Sequence, residues 1–456
     1  MHYISTRGGA PDLGFADVLL AGLARDGGLY VPSEWAPLPP RGSSYAEDAA
    51  AIMRPYVAGD IDDETLRSVC VDAYETFRHP DVTPIVEIGD GLWVQELFHG
   101  PTLAFKDLAL QVVGRLFDVV LSQRNERVTI VGATSGDTGS AAIDGVRNCD
   151  NVDIIILYPA GRTSEVQRRQ MTTIDSPNVH TIAVNGTFDD CQDLVKAMFA
   201  DESLRDDCNL SAVNSINWAR VMAQIVYYAV GTQHLGGKVD FSVPTGNFGN
   251  VLAGWIARHT GAPIERLIIA SNENDILSRF VNDHDMSTAS VVPTLSPSMD
   301  IQVSSNFERL LFEMNARDGG VTAQQLNRFR SSGKLIIEDD VFEQWISPTF
   351  AASRVSDDDT LREIGQVYRD TGMLVDPHTA TGIAAARRCR AEVPVITLAT
   401  AHPAKFPDAV AKATGVRPEL PAQLADLMER TERIHDLPAD LAAVSSFVRS
   451  VSRAAG

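Results

Sequence analysis

The 456-residue sequence lacks several features that would assign it to a simple class. Its five cysteines are scattered and form no Cys-x-x-Cys pair, so neither a disulfide framework nor a zinc site is indicated. No apolar run approaches the roughly 18 residues that a membrane span needs. Residues 1–9 lack the basic-then-apolar order of a signal peptide. We therefore expect a cytoplasmic protein without a metal site.

Positive charge is also in short supply. Lys and Arg number 39 against 60 Asp and Glu, which gives a formal net charge of −21. Such a surface repels nucleic acid and anionic membranes, so we expect neither as a partner. An anionic small substrate has to be captured by a local site that works against the overall field. The length and the 44% hydrophobic content suffice for a large core spread over two or three domains.

Short apolar segments alternate with helical ones through most of the chain. They are rich in Val and Ile without polar alternation, which is typical of parallel strands covered on both faces. The predicted strands are 92–97, 128–133, 153–157, 179–184, 239–243, 267–270 and 394–399. Several end in a cluster of Gly, Ser, Thr or Asn that opens a helix. The pattern predicts an α/β fold with open, mostly parallel sheets and ligands bound at the carboxyl ends of strands.

Three regions are expected along the chain. Residues 1–90 read as a mostly helical N-terminal region, with helices after residue 15 and after the Pro-rich link at 37–40. Residues 91–406 contain the alternating strands and helices of the α/β core. Residues 407–456 are Ala-rich and are predicted to form a helical extension that packs on this core.

The sequence Val-Pro-Thr-Gly-Asn-Phe-Gly-Asn at residues 243–250 follows a predicted strand and precedes a predicted helix. Its two glycines let the backbone close around an anion, and the helix start offers unpaired N–H groups. Neither the P-loop nor the dinucleotide spacing is present. An ordinary turn is the alternative, but the small and amide side chains favour a phosphate cradle. The residues of this cradle are Gly246, Asn247, Phe248, Gly249 and Asn250.

A second strand-to-helix turn, Gly-Ala-Thr-Ser-Gly-Asp-Thr-Gly-Ser at residues 132–140, is dense in hydroxyls and N–H donors. Such a turn suits a carboxylate or a phosphate, with Asp137 as a hydrogen-bond acceptor or polar anchor. The alternative is a simple helix cap on Asp137 or Thr138. The density of donors exceeds what a cap needs, so we favour a binding role.

Lysine occurs only at positions 106, 196, 238, 334, 405 and 412, so each can be weighed. Lys106 has apolar neighbours on one side, Leu103-Ala104-Phe105. Burial disfavours the charged form of an amine, which lowers its pKa and makes it a nucleophile able to form a Schiff base. For one lysine seen alone, a side chain that snorkels beside a helix start is the simpler interpretation.

The predicted strand 394–399 runs into Thr400-Ala-His-Pro-Ala-Lys-Phe406. A hydroxyl at the carboxyl end of this strand can hydrogen-bond a ring nitrogen. Lys405 is the one serious competitor to Lys106 for a Schiff base. His402 precedes a proline, and a satisfied structural histidine is its favoured interpretation.

Taken together, the segments LFHGPTLAFKD, GATSGDTGSAA, VNSIN, VPTGNFGN and TAHPAKF resemble threonine synthase in its longer-chain bacterial and fungal branch. That family belongs to the fold-type II enzymes that depend on pyridoxal 5'-phosphate (PLP), and the motifs stand in the family's order over nearly the whole chain. The resemblance implies a core of two subdomains with the active site between them. It also implies a small-molecule enzyme that is a monomer or a homodimer.

The resemblance further implies roles for individual residues. Lys106 would hold PLP as a Schiff base and act as acid and base, and the loop Gly246–Asn250 would hold the cofactor phosphate. Thr400 would face the pyridine nitrogen, and Asp137 would lie on the side of the ring's 3-oxygen. The substrate carboxylate would bind Thr134, Ser135 and Gly136. The substrate phosphate would contact Ser164, Asn217 and Arg220.

The family's reaction converts O-phospho-L-homoserine and water to L-threonine and phosphate, the last step of threonine biosynthesis. A threonine synthase-like phospholyase, which yields 2-oxobutyrate, ammonia and phosphate, is the nearest alternative because the same residues serve either outcome. A non-catalytic metabolite-binding protein would be expected to lack Lys106 or the phosphate cradle. Both are present.

Overall fold

The computed structural model describes residues 1–134 and 136–455. The strands are β1 Tyr3–Ser5, β2 Tyr30–Pro32, β3 Ile85–Gly89, β4 Leu92–Glu96, β5 Val128–Ala133, β6 Val152–Pro159, β7 Val179–Asn185, β8 Leu210–Ser211, β9 Val239–Pro244, β10 Ile264–Ser271, β11 Met286–Ser287, β12 Lys334–Leu335, β13 Phe350–Arg354, β14 Val395–Ala399 and β15 His435–Pro438.

The α-helices are α1 Phe15–Ala21, α2 Tyr45–Val57, α3 Asp63–Tyr74, α4 Lys106–Arg124, α5 Asp137–Val146, α6 Glu165–Thr172, α7 Phe188–Ala200, α8 Glu202–Asp207, α9 Trp218–Leu235, α10 Gly249–His259, α11 Ile276–Asp283, α12 Phe307–Met314, α13 Gly319–Ser332, α14 Asp339–Trp345, α15 Asp357–Thr371, α16 Pro377–Arg388, α17 Pro407–Thr414 and α18 Leu441–Val451. Short 3₁₀ turns lie at Pro297–Met299, Pro403–Lys405 and Ala422–Leu424. Within the described ranges, no helix is both long and apolar enough to cross a membrane.

One sheet has the strand order β13-β10-β9-β14-β4-β3. Its neighbours pair in parallel except at the edge, where β3 runs antiparallel to β4. Every residue of β9 and of β14 is buried. Because successive side chains of a strand point to opposite faces, this burial means that both faces of the sheet centre are covered. The continuous apolar runs predicted from the sequence have this physical origin.

A second sheet has the order β15-β7-β6-β5-β8 and is parallel throughout. Helices α4 and α9 belong to the main hydrophobic core, which also contains Ile130 and Ile154 from this sheet and Phe241 and Ile396 from the other. The core therefore joins the two sheets. The α/β architecture with mostly parallel sheets confirms the predicted fold class, and each of the predicted strands is present.

The N-terminal and C-terminal regions contain more than the predicted helices. Strands β1 and β2 form an antiparallel pair, and α2 packs against α3 and α9. Between α17 and α18 the described chain forms no α-helix, only the 3₁₀ turn at Ala422–Leu424, and β15 adds a parallel strand to the edge of the second sheet beside β7. The sequence His-Asp-Leu-Pro of β15 has no β-branched run, so only its pairing with β7 makes it a strand. The boundaries of the three regions remain a prediction.

Candidate active site

The predicted functional segments meet where strands of the two sheets end. Phe105, next to Lys106, donates its backbone N–H to the Thr400 carbonyl at 2.9 Å, and Ala104 and Ala401 form a β-bridge. Lys106 Nζ lies 3.4 Å from Asp137 Oδ2. Two strand-end segments and the start of α4 are therefore within one side chain's length of each other, as expected for a site at the carboxyl ends of parallel strands.

Lys106 is the first residue of α4 and is buried. Burial is the main cause that lowers its pKa, since a charged amine loses hydration there. The Asp137 carboxylate opposes this shift, whereas the positive charges of Lys405 and Arg220 add to it. The lysine singled out by its apolar neighbours therefore lies in the environment that favours a nucleophilic amine.

Asp137, the first residue of α5, is the hub of the site. Its Oδ1 accepts from Gln167 Nε2 at 2.8 Å and lies 2.7 Å from Lys405 Nζ. Burial alone would raise the pKa of this carboxyl, but the Lys405 and Lys106 ammonium groups hold it well below its usual range. Asp137 is therefore a permanent anion between two lysines.

Lys405 is fully buried on the 3₁₀ turn after β14. Besides its ion pair with Asp137, its Nζ donates to the Thr102 carbonyl at 2.8 Å. Thr102 is held in turn by Asp107, whose carboxylate accepts from the Thr102 backbone N–H at 2.8 Å and from its hydroxyl at 2.6 Å. Lys405 thus has two close oxygen partners, whereas Lys106 has one distant partner.

The loop 246–250 carries a positive φ at a residue other than glycine. Phe248 has φ +62° and directly precedes α10, and its ring is buried against Phe307 and Phe350. This backbone conformation costs on the order of 1–3 kcal/mol for a residue with a side chain, so packing must hold it. No side chain within the described ranges caps the start of α10. The first N–H groups of that helix therefore face the loop.

A wall segment, residues 297–306, closes the outer side of this loop. Ser304 Oγ donates to the Gly246 carbonyl at 2.7 Å, and Asn306 donates its backbone N–H and Nδ2 to the Asn247 carbonyl, both at 3.1 Å. A Cβ added to Gly246 would lie 2.5 Å from the Ser298 carbonyl oxygen. The carbonyls of the loop are thus used by the wall segment, and a side chain at Gly246 would collide with it.

Asn250 supplies a polar group with nothing to bind in the described protein. Its Oδ1 accepts from the hydroxyls of Tyr227 at 2.6 Å and Tyr228 at 2.8 Å, which fixes the orientation of the amide. Its Nδ2 is buried and has no partner among the described residues. A buried unpaired donor costs about 1–3 kcal/mol, so it marks a place for an acceptor. Together with the uncapped start of α10, it fits a cofactor phosphate at the predicted loop.

Arg220, in the first turn of α9, is a buried cation, and no carboxylate in the described ranges forms an ion pair with it. Its Nε and Nη1 have no hydrogen-bond partner in the described parts of the chain. Burial lowers its pKa to about 10, so the guanidinium is still charged at neutral pH. A buried unpaired charge is strongly destabilising, and an anionic ligand would remove that penalty.

The other predicted site residues have these positions. Thr134 Oγ1 accepts from the N–H groups of Gly136 and Gly139 at 3.0 and 2.9 Å and so shapes the turn before α5. Ser164 is exposed and caps α6, with its Oγ donating to Gln167 Oε1 at 2.9 Å. Ser135 lies outside the described residues. Their contacts with a substrate remain predictions.

Asn217 has a structural role that the sequence did not suggest. It is fully buried, its Oδ1 accepts from the Ala219 N–H at 3.0 Å as the cap of α9, and its Nδ2 donates to the Leu19 carbonyl at 2.9 Å. The residue therefore fixes the helix that carries Arg220.

His402 also accepts from a backbone N–H, that of Ala404, and burial lowers its pKa to about 4. This geometry agrees with the structural role expected for His402.

The sequence reading missed several polar residues around Asp137 and the loop 246–250. Ser298 Oγ donates to Asp137 Oδ2 at 3.4 Å, and its backbone N–H donates to His378 Nε2 at 3.3 Å. Gln167 contacts Asp137 from α6. The signal for part of this set was the four serines and one asparagine at 296–306, in a stretch without helical or strand periodicity.

Comparison with known proteins places this arrangement in a class. The profile described as "Pyridoxal-phosphate dependent enzyme" matches residues 77–328, more than half of the chain. The fold and the site thus define a PLP-dependent enzyme. Profiles described as "Threonine synthase N terminus" and "Threonine synthase, C-terminal" match residues 2–74 and 379–448.

Individual relatives cover nearly the whole chain. A threonine synthase from Pseudomonas aeruginosa is 55% identical over 98% of each chain. The crystal structure of PLP-bound threonine synthase from Brucella melitensis has a TM-score of 0.97 at 50% identity and covers 99% of this chain and 100% of its own. The yeast threonine synthase structure has a TM-score of 0.92 at 40% identity, covering 99% and 98%. The chain belongs to the threonine synthase family, as the resemblance implied.

Proposed function

We propose that this chain converts O-phospho-L-homoserine and water to L-threonine and phosphate, with PLP held on Lys106. The observation that carries the proposal is the presence in one site of a buried lysine, whose Nζ has one oxygen partner at 3.4 Å, and of a buried arginine whose Nε and Nη1 have no partner among the described residues. The lysine suits covalent attachment of a cofactor aldehyde, and the arginine suits a phosphorylated substrate. Membership of the threonine synthase family supports the choice of substrate and product.

Several groups of the chain fit the cofactor. Residues Gly246–Asn250 offer N–H groups and the Asn250 Nδ2 to the phosphate, and Thr400 at the end of β14 offers a hydroxyl to the ring nitrogen. Asp137 supplies a fixed negative charge near the attachment point. Bound PLP would supply an electron sink that stabilises the charge left when a proton leaves the substrate Cα.

Lys106 is the proposed acid and base of the reaction. Phosphate leaves from Cγ and water adds at Cβ, so protons must be removed from the substrate carbons and returned to them. A base that serves both directions works best with a pKa near the working pH. The burial of Lys106 and the neighbouring Lys405 and Arg220 charges lower its pKa toward that range.

The remaining residues are proposed to bind the two ends of the substrate. Arg220 would receive the phosphate, because its unpaired donors are the ones that a phosphate satisfies. Ser164 and Asn217 are the further proposed contacts for that group. Thr134, Ser135 and Gly136 would receive the substrate carboxylate at the start of α5, where the helix dipole favours an anion.

The test is to incubate the PLP-loaded protein with O-phospho-L-homoserine and to assay phosphate, threonine and 2-oxobutyrate separately. We expect phosphate and threonine in equal amounts and, in labelled water, label on the threonine hydroxyl. Lys106→Arg is the control, since it keeps the charge but lacks a nucleophilic amine at neutral pH. Mainly 2-oxobutyrate would instead identify the phospholyase alternative. Absence of phosphate release would overturn both.

The expected location and assembly state remain predictions. We expect a cytoplasmic protein that is a monomer or a homodimer. The expectation that it has no nucleic acid or membrane partner agrees with the net charge of −21. Cell fractionation and light scattering of the purified protein would measure both.

A further inference from the structure

Two lysines share one buried carboxylate in this site, and they are not equivalent. Lys405 Nζ lies 2.7 Å from Asp137 Oδ1 and also donates to the Thr102 carbonyl at 2.8 Å. Lys106 Nζ lies 3.4 Å from Asp137 Oδ2, its one oxygen partner in the described chain. Coulomb attraction and hydrogen bonding both favour the shorter and doubly held contact. Lys405 is therefore the main counter-ion of Asp137.

The charges around Lys106 favour the loss of its proton. Asp137 on α5, Lys405 on the 3₁₀ turn and Arg220 on α9 are the charged groups that act on its amine, giving two positive influences and one negative influence. In a buried site an excess of positive charge is relieved most easily by loss of a proton. The proton leaves most easily from the ammonium group with the fewest oxygen partners, which is Lys106.

We propose that Lys405 is a positioning residue: its ammonium group neutralises and orients Asp137, so that Lys106 is left free to lose its proton and react as an amine. The proposal rests on the proposed function in that it takes Lys106 as the residue that binds PLP. It assigns no direct contact between Lys405 and the substrate.

The fixed position of Lys405 supports this role. Its side chain is fully buried, and its partner Thr102 is held through two hydrogen bonds to Asp107. Asp137 is held by Gln167 Nε2 at 2.8 Å on the same oxygen that Lys405 contacts. The carboxylate therefore presents its other oxygen, Oδ2, toward Lys106.

The test measures how fast added PLP becomes attached to Lys106 in the PLP-free protein, by absorbance, from pH 6 to pH 10. Only the neutral amine reacts, and each unit of pKa changes its fraction about tenfold below the pKa. In Lys405→Met the pKa of Lys106 should rise, because a neighbouring cation is lost and Asp137 turns to Lys106. Attachment at pH 7 should then be about tenfold slower or more, and raising the pH should restore it. A merely structural defect would not be restored by pH.

The controls separate charge from packing. Lys405→Arg keeps the charge and should stay within about threefold of the parent, and Lys412→Met removes an exposed lysine from α17 and should change nothing. Asp137→Asn should shift the profile in the opposite direction, toward lower pH, because Lys106 then faces only cations. This variant decides the matter if Lys405→Met does not fold. An unshifted profile in folded Lys405→Met, or a shift of Asp137→Asn to higher pH, would overturn the proposal. Failure of PLP to attach to the parent protein would instead count against the proposed function.

Discussion

Two buried arginines in neighbouring parts of the molecule have opposite environments. Arg309 follows the wall segment in α12 and donates to the carbonyls of Tyr30 and Ile216 and to Asn306 Oδ1, at 2.9, 2.7 and 2.6 Å. Arg220 in α9 is equally buried, but its Nε and Nη1 have no partner in the described chain. Arg309 fixes the wall segment that lies against the loop 246–250. Arg220 keeps its hydrogen-bonding capacity unused.

The difference indicates what each region is for. The wall segment and the loop 246–250 are held by hydrogen bonds before any ligand binds, which lowers the cost of ordering on binding. Arg220 instead lowers the stability of the ligand-free protein, because a buried cation without a counter-ion is destabilising. Functional sites retain such penalties where a ligand relieves them. We therefore expect the satisfied region to build the site and the unsatisfied residue to recognise the substrate.

Replacing each arginine with methionine should have opposite effects on the stability of the protein, and this is the largest difference that we expect. In Arg309→Met, three acceptors lose their donor, and the two buried ones, the Tyr30 carbonyl and Asn306 Oδ1, cost about 1–3 kcal/mol each, so the thermal midpoint should fall markedly. In Arg220→Met, removal of an unpaired buried charge should leave the stability of the ligand-free protein unchanged or raise it by up to about 4 kcal/mol.

The same Arg220→Met protein should bind substrate poorly. Loss of charge-assisted hydrogen bonds to the phosphate should raise KM by about 10–100-fold, and lower kcat too if the contact strengthens as phosphate leaves. Thermal melts and steady-state kinetics on both variants provide the check. A strongly destabilised Arg220→Met, or an unchanged KM, would contradict the division of roles.

Gly246→Val tests whether the contact between the loop 246–250 and the wall segment is needed for PLP binding. The added side chain would meet the Ser298 carbonyl and displace either the loop or the wall segment, so PLP affinity should fall by about 10–100-fold. Gly237→Val is the matched control, since its added Cβ would meet nothing within 4 Å. Equilibrium titration with PLP, with circular dichroism to verify folding, measures the effect. Unchanged affinity in the Gly246 variant would make this loop an ordinary turn.

The last effect is expected in Asp107→Asn, in the pH dependence of the free energy of unfolding. Burial raises the pKa of Asp107 to about 7, above its value in the unfolded chain. The folded protein therefore binds the extra proton between about pH 4 and pH 7, and this contribution to stability is lost as the pH rises through 7. About two of these pH units lie above pH 5, so between pH 5 and pH 8 the parent should lose about 2–3 kcal/mol more than the variant. Denaturant unfolding at pH 5 and pH 8 checks this, and equal losses in both proteins would contradict it.

The sequence predicted the parts of the site that depend on local pattern. The glycine turns after β5 and β9 are read from strand-end positions, which parallel sheets bring together. Lys106 is singled out by its apolar neighbours and by the family resemblance. The sharing of Asp137 by Lys106 and Lys405 could not be read in this way. It depends on the approach of segments far apart in the chain, 31 residues for Lys106 and Asp137 and 161 for Ser298 and Asp137.

The edge strand β15 and the wall segment could not be predicted from local sequence patterns either. β15 carries no strand signal of its own and becomes a strand through its pairing with β7. The wall segment has neither helical nor strand periodicity, so its hydrogen bonds to Gly246 and Asn247 become visible only in three dimensions. The burial of Arg220 without a partner likewise follows from packing, not from its neighbours in sequence.

The central claim is that Lys106, and not its neighbour Lys405, binds the cofactor. Reducing the PLP-loaded protein with borohydride fixes the cofactor to its lysine, and mass spectrometry of the peptides then locates it. We expect the label on Lys106 alone, because the Lys405 ammonium group is bound to Asp137 and to the Thr102 carbonyl. Label on Lys405, or a PLP-loaded protein that yields no labelled lysine, would contradict it.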